Sequence, residues 1–379
     1  MTAHRRRRAT GRRAVWFSAA AAVAVIAAAA GAFALARHGQ LASGPISPSG
    51  FGSQSPSHHA SSTDHAHGTD SPAPGGSGSP GDPGTVASES GPAARLIPSA
   101  GAYLGAYVAP ASYTPDAEIA AVRSFQQTIG APMPLVHTYH PWYSPFPNAA
   151  DQYFVKAGKV LLLTWGGNPD TKKIVAGDYD SLIRERAEAV KRLGRPILLE
   201  FRHEMDRPNL QWVMHGPKNY IAAWDHIRAI FTSVGATNVG WVWCPTGWGF
   251  KKNRAQAFYP GNGEVDWVCA DIYSIAPTET LQEAAHPFLT WARHTRKPVM
   301  IGEFAVAGRP AAWSRWLLAA GELASVDRQI KGMAYFDANG TDSQGRPFEY
   351  WLGGNEPALR AFGQMLRWRT FHPVRASSR

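Results

Sequence analysis

The residues with most chemistry in them sit in one short stretch. Arg195 and Pro196 close a helical segment, because proline cannot continue a helix. Ile197, Leu198 and Leu199 then make an apolar run suited to a parallel strand covered on both faces. Glu200, Arg202, His203, Glu204 and Asp206 follow directly. Charges this dense after a core strand are costly to bury unless they pair or take part in a reaction. Residues 297 to 304 repeat the design: Lys297 and Pro298, the apolar Val299, Met300 and Ile301, then Glu303. Two carboxylates at the ends of two core strands are what cleavage of a glycosidic bond requires.

The elements that must position this pair can be read from residue 96 onward. Eight short apolar runs predict strands at Tyr103–Val108, Leu135–Tyr139, Val160–Thr164, Ile197–Phe201, Val239–Trp243, Val265–Ile272, Val299–Phe304 and Gly332–Phe336. Amphipathic segments between them predict helices, among them Tyr179–Leu193, Pro217–Val234, Leu281–Thr295 and Ala311–Ser325. Strands alternating with helices imply a parallel sheet, and eight such units fit an α/β fold of the (β/α)8 TIM barrel type. A doubly wound open sheet is the alternative. It usually carries a glycine-rich phosphate loop after its first strand, and Gly101 and Gly105 do not make that fingerprint. Chemistry gathers at the C-terminal ends of the strands, where such barrels react: His137, Tyr139 and His140 on the second, Trp165 on the third, Arg202 to Asp206 on the fourth, Trp243 on the fifth, Asp271 and Tyr273 on the sixth and Glu303 on the seventh.

In this frame Glu204 is the expected general acid and base, and Glu303 the nucleophile of a double displacement. Tyr273 is placed to hydrogen-bond Glu303 and keep it ionised. Arg202 and His203 flank Glu204 and are expected to position it or bind sugar hydroxyls, with an ion pair from Arg202 to Glu200 or Glu204 as the structural alternative. Glu200 and Asp271 read as structural. His140, Trp165, Trp212, Trp243 and Trp248 are candidate sugar contacts, the tryptophans as platforms or else as core fillers. A count of 14 Trp suits a sugar-binding cleft as well as a large core.

The formal net charge of +10 is concentrated at the N-terminus. Residues 1–40 hold seven arginines and no acid, which leaves 31 basic against 28 acidic residues in the rest of the chain. Nucleic acid is therefore not an expected partner. Residues 1–13 form a basic head, and residues 14–36 an apolar run of 23, long enough to span a bilayer with the basic end in the cytoplasm. It reads as a transmembrane signal anchor, or as a signal peptide cut near Ala34-Leu35-Ala36. Either places the remainder outside the cytoplasm, tethered to the membrane or secreted. Residues 37–95 are rich in Ser, Gly, Pro and His and are expected to be a disordered linker; its histidines read as solvated rather than metal-binding. Residues 96–379 make the barrel, expected as a monomer. Cys244 and Cys269, on neighbouring strands, are either a disulfide or two buried thiols, and their spacing suits no zinc motif. Two carboxylates suffice for the chemistry, so no metal or organic cofactor is implied.

His203-Glu204-Met205-Asp206 followed by Trp212 resembles the acid/base motif of glycoside hydrolase family 26, which includes β-mannanases. Asn238 to Pro245 is similar to that family's fifth strand, Tyr259 to Val268 to the run into its sixth, and Pro298 to Phe304 to its nucleophile strand. The resemblance covers roughly residues 100 to 370 and implies a retaining (β/α)8 hydrolase with Glu204 as acid/base, Glu303 as nucleophile, His203 as a subsite ligand and Tyr273 as partner of the nucleophile. Three positions depart from the family's pattern: Asp206 stands where Asn is frequent, Gly166 and Gly167 replace a carboxylate after Trp165, and the eighth strand, Met333 to Asp337, offers no Trp. The implied substrate is a β-linked polysaccharide, mannan or glucomannan first, another β-glucan or a β-xylan second. The alternative from another class is a carbohydrate-binding protein without catalysis.

Overall fold

The computed structural model describes residues 96–276, 278–307, 310–341 and 346–375. The basic head, the apolar run and the linker lie outside these residues; among the described helices none is long and apolar enough to cross a membrane.

Eight parallel strands close into a barrel: β1 (Tyr103–Val108), β2 (Leu135–His140), β3 (Val160–Trp165), β4 (Ile197–Phe201), β5 (Val239–Trp243), β6 (Trp267–Ser274), β7 (Val299–Val306) and β8 (Ile330–Asp337). The ring shuts where β1 pairs with β8, from Tyr103 opposite Gly332 to Val108 opposite Asp337. A helix follows each strand: α1 (Pro115–Ile129), α2 (Ala149–Lys156), α3 (Asp180–Leu193), α4 (Pro217–Val234), the short α5 (Gly247–Lys251), α6 (Leu281–Thr295), α7 (Pro310–Val326) and α8 (Glu356–Met365). Local chemistry starts them where they start. Thr114 accepts from the Ala117 amide ahead of Pro115, while Asn148 with Asp151 and Thr280 with Glu283 close reciprocal capping boxes.

Strand alternation divides the core in two. Leu161, Leu163 and Trp165 of β3 join Ile183, Ala187 and Val190 of α3 in the layer between strands and helices. Val160 and Leu162 point the other way and fill the barrel with Tyr103, Leu135, Leu198, Val242, Trp267 and Met300. Leu96 belongs to the same inner cluster, at the start of the described chain. Nearby, Pro98–Ala100 pairs antiparallel with Val374–Arg375. Cys244 and Cys269 form a disulfide inside the barrel, with S–S 2.09 Å, which resolves the two readings of these residues. Beyond it, toward the C-terminal strand ends, the inward positions turn polar: His137, Thr164, Glu200 and Asp271 are all buried. The apolar half holds the barrel together, and the polar half supports what lies at its mouth.

Candidate active site

Glu303 reaches the mouth from β7 and is 6% exposed. Register shifts between β7 and both its neighbours turn this segment. Gly302 makes the turn possible: a Cβ there would meet Asp271 Oδ1 at 2.7 Å and both disulfide sulfurs at 2.7 and 2.9 Å. Two phenols hold the carboxylate. Tyr139 donates to Oε1 at 2.5 Å, and Tyr273 donates to Oε2. Burial, then the charge of Glu204, pushes the Glu303 carboxyl up to about 7, against the two tyrosine hydroxyls and Arg207, which pull it down. Hydrogen bonds to a charged group are worth about 1.5–3 kcal/mol each, so desolvation prevails here over two such bonds. The contact expected from Tyr273 is present; the matching one from Tyr139 was not foreseen, although Tyr139 shares the inward face of β2 with His137.

Glu204 stands in the loop after β4, also 6% exposed. Its φ of 54° and the 44° of Arg202 lie in the left-handed region that side chains other than glycine seldom occupy. Strain of this kind persists only where the surroundings over-determine it. Here the Glu204 amide donates to the Cys244 carbonyl at 2.7 Å. Asp206 accepts from the Thr246 amide at 2.9 Å and from its hydroxyl at 2.6 Å, tying the loop to the end of β5. Gln211 donates to the carbonyls of Met205 and Arg207, and Arg254 to that of Asp206. Gly249 is required by close approach, because a Cβ there would stand 1.8 Å from Asp206 Oδ2.

The partner of Glu204 is Arg207, whose Nη2 donates to Oε1 at 2.5 Å. No sequence pattern marks this residue, which lies in a loop without periodicity. Arg202, expected to position Glu204 or bind sugar hydroxyls, with an ion pair to Glu200 or Glu204 as the alternative, has a left-handed backbone and donates to the His203 carbonyl at 2.7 Å. His203 is partly buried, edge-on to Tyr139 with centroids 5.7 Å apart. It thus stands beside the tyrosine that holds Glu303 and next to Glu204 in the chain.

Three expected sugar contacts do not reach the mouth. Trp165 and Trp243 are fully buried. Both fall on the outward parity of their strands: Trp165 stacks on Trp142 at 4.1 Å, and Trp243 packs on Tyr259 and Trp291. His140 is also outward and buried, with Nε2 2.9 Å from Asp151 Oδ2. These residues hold helices to the barrel. Trp212 and Trp248 are 67% and 48% exposed, and Arg254 lies 4.3 Å over the Trp248 ring. The segment after the eighth strand brings aromatic groups of its own. Tyr350, beyond a hairpin of Asn339–Thr341 with Pro347–Glu349, stacks on Tyr273 at 5.1 Å. Its neighbour Trp351 is 52% exposed.

Fold and mouth together define a (β/α)8 barrel with a paired-carboxylate centre on β4 and β7. No family model matches the chain. Solved structures share this fold. A β-mannanase from a symbiotic protist of the termite Reticulitermes speratus superposes with a TM-score of 0.52 at 14% identity, covering 73% of this chain and 94% of that one. A family 26 β-mannanase from Bacteroides ovatus gives 0.53 at 13% identity, over 74% and 92%. Among curated proteins, endoglucanase H of Acetivibrio thermocellus is 29% identical over 216 residues, 52% of this chain and 24% of its own length. A β-1,3-xylanase of an Alcaligenes species is 25% identical over 208 residues, 47% of this chain and 42% of its own length. The chain thus spans less than half the length of either curated relative.

Proposed function

We propose that this protein is a retaining endo-β-glycosidase that hydrolyses a β-linked polysaccharide by double displacement. The observation that carries the reading is the carboxyl pair at one barrel mouth, Glu303 clamped by two phenols and Glu204 faced by an arginine. Glu303 attacks the anomeric carbon, and Glu204 protonates the departing oxygen and then activates water. Tyr139 and Tyr273 aim the Glu303 oxygens and stabilise their charge. Arg207 holds Glu204 through Oε1, which leaves Oε2 to carry the proton for the departing oxygen. His203 and Tyr350 border the pair and are the proposed sugar contacts within the mouth, with Trp212, Trp248 and Trp351 as outer ones.

One observation favours a second reading, in which the two roles are exchanged: Glu303 is the carboxyl pushed upward, and Glu204 the one beside an arginine. Trapping with a fluorinated glycoside followed by peptide mass spectrometry separates the two, since the label marks the nucleophile.

Mannan or glucomannan is the first proposed substrate, because the solved neighbours of this fold include β-mannanases. Another β-glucan or a β-xylan is the second, because the curated relatives include an endoglucanase and a β-1,3-xylanase. The test is sugar release by the whole chain from glucomannan, galactomannan, mixed-linkage β-glucan, laminarin and xylan, with Glu303→Ala alongside. Release from one polymer that disappears in the variant supports the reading. Release that persists in the variant overturns the role of Glu303, and tight binding without release makes the protein a carbohydrate-binding module. We further propose an extracytoplasmic location, tethered through residues 14–36 or secreted after their removal; the internal disulfide suits an oxidising compartment.

A further inference from the structure

A line of buried polar groups runs from Glu303 into the barrel. Tyr139 Oη lies 2.5 Å from Glu303 Oε1 and 3.3 Å from His137 Nδ1. That same nitrogen lies 3.2 Å from the Gly302 carbonyl oxygen, and His137 Nε2 lies 2.7 Å from Thr164 Oγ1. Thr164 Oγ1 in turn lies 2.5 Å from Glu200 Oε2, while Glu200 Oε1 is buried with no hydrogen-bond partner. His137, Thr164 and Glu200 are 2%, 0% and 1% exposed.

The positions of the protons follow from what each atom faces. The Gly302 carbonyl can only accept, so His137 carries its hydrogen on Nδ1. In a neutral imidazole Nε2 then has only a lone pair, and the Thr164 hydroxyl must donate to it. Thr164 has no second hydrogen, so the hydrogen in its 2.5 Å contact comes from Glu200. The competing arrangement is an imidazolium with an ionised Glu200, Thr164 donating to the carboxylate. That arrangement leaves a charged oxygen, Oε1, without a donor inside the barrel, which costs far more than a neutral carbonyl in the same place. Glu303, Glu204 and Asp271 also face Glu200 with like charge, and Arg202 is the cation among its neighbours. Burial pushes the Glu200 carboxyl well above the usual range and the His137 imidazole down to about 3, in the same sense.

We propose that Glu200 stands protonated and, acting through Thr164 and His137, commits the Tyr139 hydroxyl to Glu303. The chain runs one way. Glu200 donates to Thr164, Thr164 to His137, His137 to the Tyr139 oxygen as well as to Gly302, and Tyr139 to Glu303. With its oxygen accepting from His137, Tyr139 has its own hydrogen free for Glu303 alone, and each bond polarises the next. Glu200 is in this sense a positioning residue. Its protonation stands on the barrel geometry; its purpose rests on the reading of Glu303 as the reacting carboxylate.

Infrared difference spectroscopy of the whole chain at neutral pH tests the protonation. Glu200→Gln offers Thr164 an amide N–H in place of the acid O–H, so it is expected to fold and to lose a protonated-carboxyl stretching band that Glu303→Gln retains. Loss of an ionised carboxylate band instead, or failure of Glu200→Gln to fold, overturns the proposal. The link to Glu303 has its own test. Thr164→Val, which can neither accept nor donate, is expected to lower kcat about tenfold with KM within about twofold, and Thr164→Ser to restore it. An unchanged kcat in a Val variant with the wild-type melting temperature overturns the link. If the chain releases sugar from no polysaccharide, the proposed function fails, while the infrared result still decides the state of Glu200.

Discussion

Glu303 sits where two opposing demands meet, and both are measurable. Buried, it resists ionisation; in its proposed role as nucleophile it must be ionised. Removing one of its donors tips the balance. Tyr139→Phe is expected to raise the Glu303 pKa above about 7, moving the acidic limb of the kcat/KM profile to higher pH. The same variant is expected to lose about ten- to a hundredfold in kcat. The stability side has the opposite sign. With a folded pKa of about 7 against an ordinary 4.5, the native state holds a proton that the unfolded chain has released, so stability falls as pH rises between these values. Glu303→Gln escapes this loss. Its denaturant stability is expected to match wild type near about pH 4 and to exceed it by on the order of 1–3 kcal/mol near about pH 8. A gap that does not widen with pH would show that Glu303 is not desolvated in the native state. Trp165 and Trp212 make a further contrast at this scale. Trp165→Ala is expected to cost about 3–5 kcal/mol of stability, whereas Trp212→Ala, at an exposed site, is expected to leave the melting temperature unchanged and to change KM if it contacts sugar.

The element that matters most is the loop after β4. It carries Glu204 in a strained backbone and is held from outside by Thr246, Gln211 and Arg254. Gly249→Ala drives a methyl into Asp206 and is expected to cost about 2–4 kcal/mol, with a fall in kcat/KM, since the displaced loop carries both Glu204 and His203. All eight strands were legible in the sequence, because each is a short apolar run and the helices between them have another period. The inward or outward parity of a strand end is legible in the same way. Counting from Val160 and Leu162 places Thr164 inside the barrel and Trp165 outside it; the same counting along β2 puts Tyr139 inside and His140 outside. Arg207 could not be found this way. It lies in a loop, and its contact with Glu204 depends on a left-handed turn that no residue type there announces. Asp206, in contrast, has a legible reason once the fold is known: its second oxygen accepts from a hydroxyl across the loop boundary.

At the scale of the molecule, the barrel separates work by height. Its lower interior is apolar, its middle carries the disulfide, and its upper interior is a stack of polar groups ending in Glu303 and Glu204. The substrate is the property least visible in this arrangement, because on the proposed function it depends on exposed aromatic groups such as Trp351, and those follow no strand or helix period. Replacing Trp351 with Ala is expected to change the ranking of polysaccharides more than the rate on the best of them, which a panel of kcat/KM values would detect.

The bridge between Cys244 and Cys269 has a consequence for how the barrel comes apart. Both sulfurs lie inside a closed ring of strands, and both residues are fully buried. A small reducing agent therefore reaches them only when neighbouring strands separate. The rate at which a dilute thiol cleaves this bond in the native protein is a clock for the opening of the barrel, read without any chemical denaturant. Ligands that grip the mouth should slow that clock by the same factor by which they hold the ring shut.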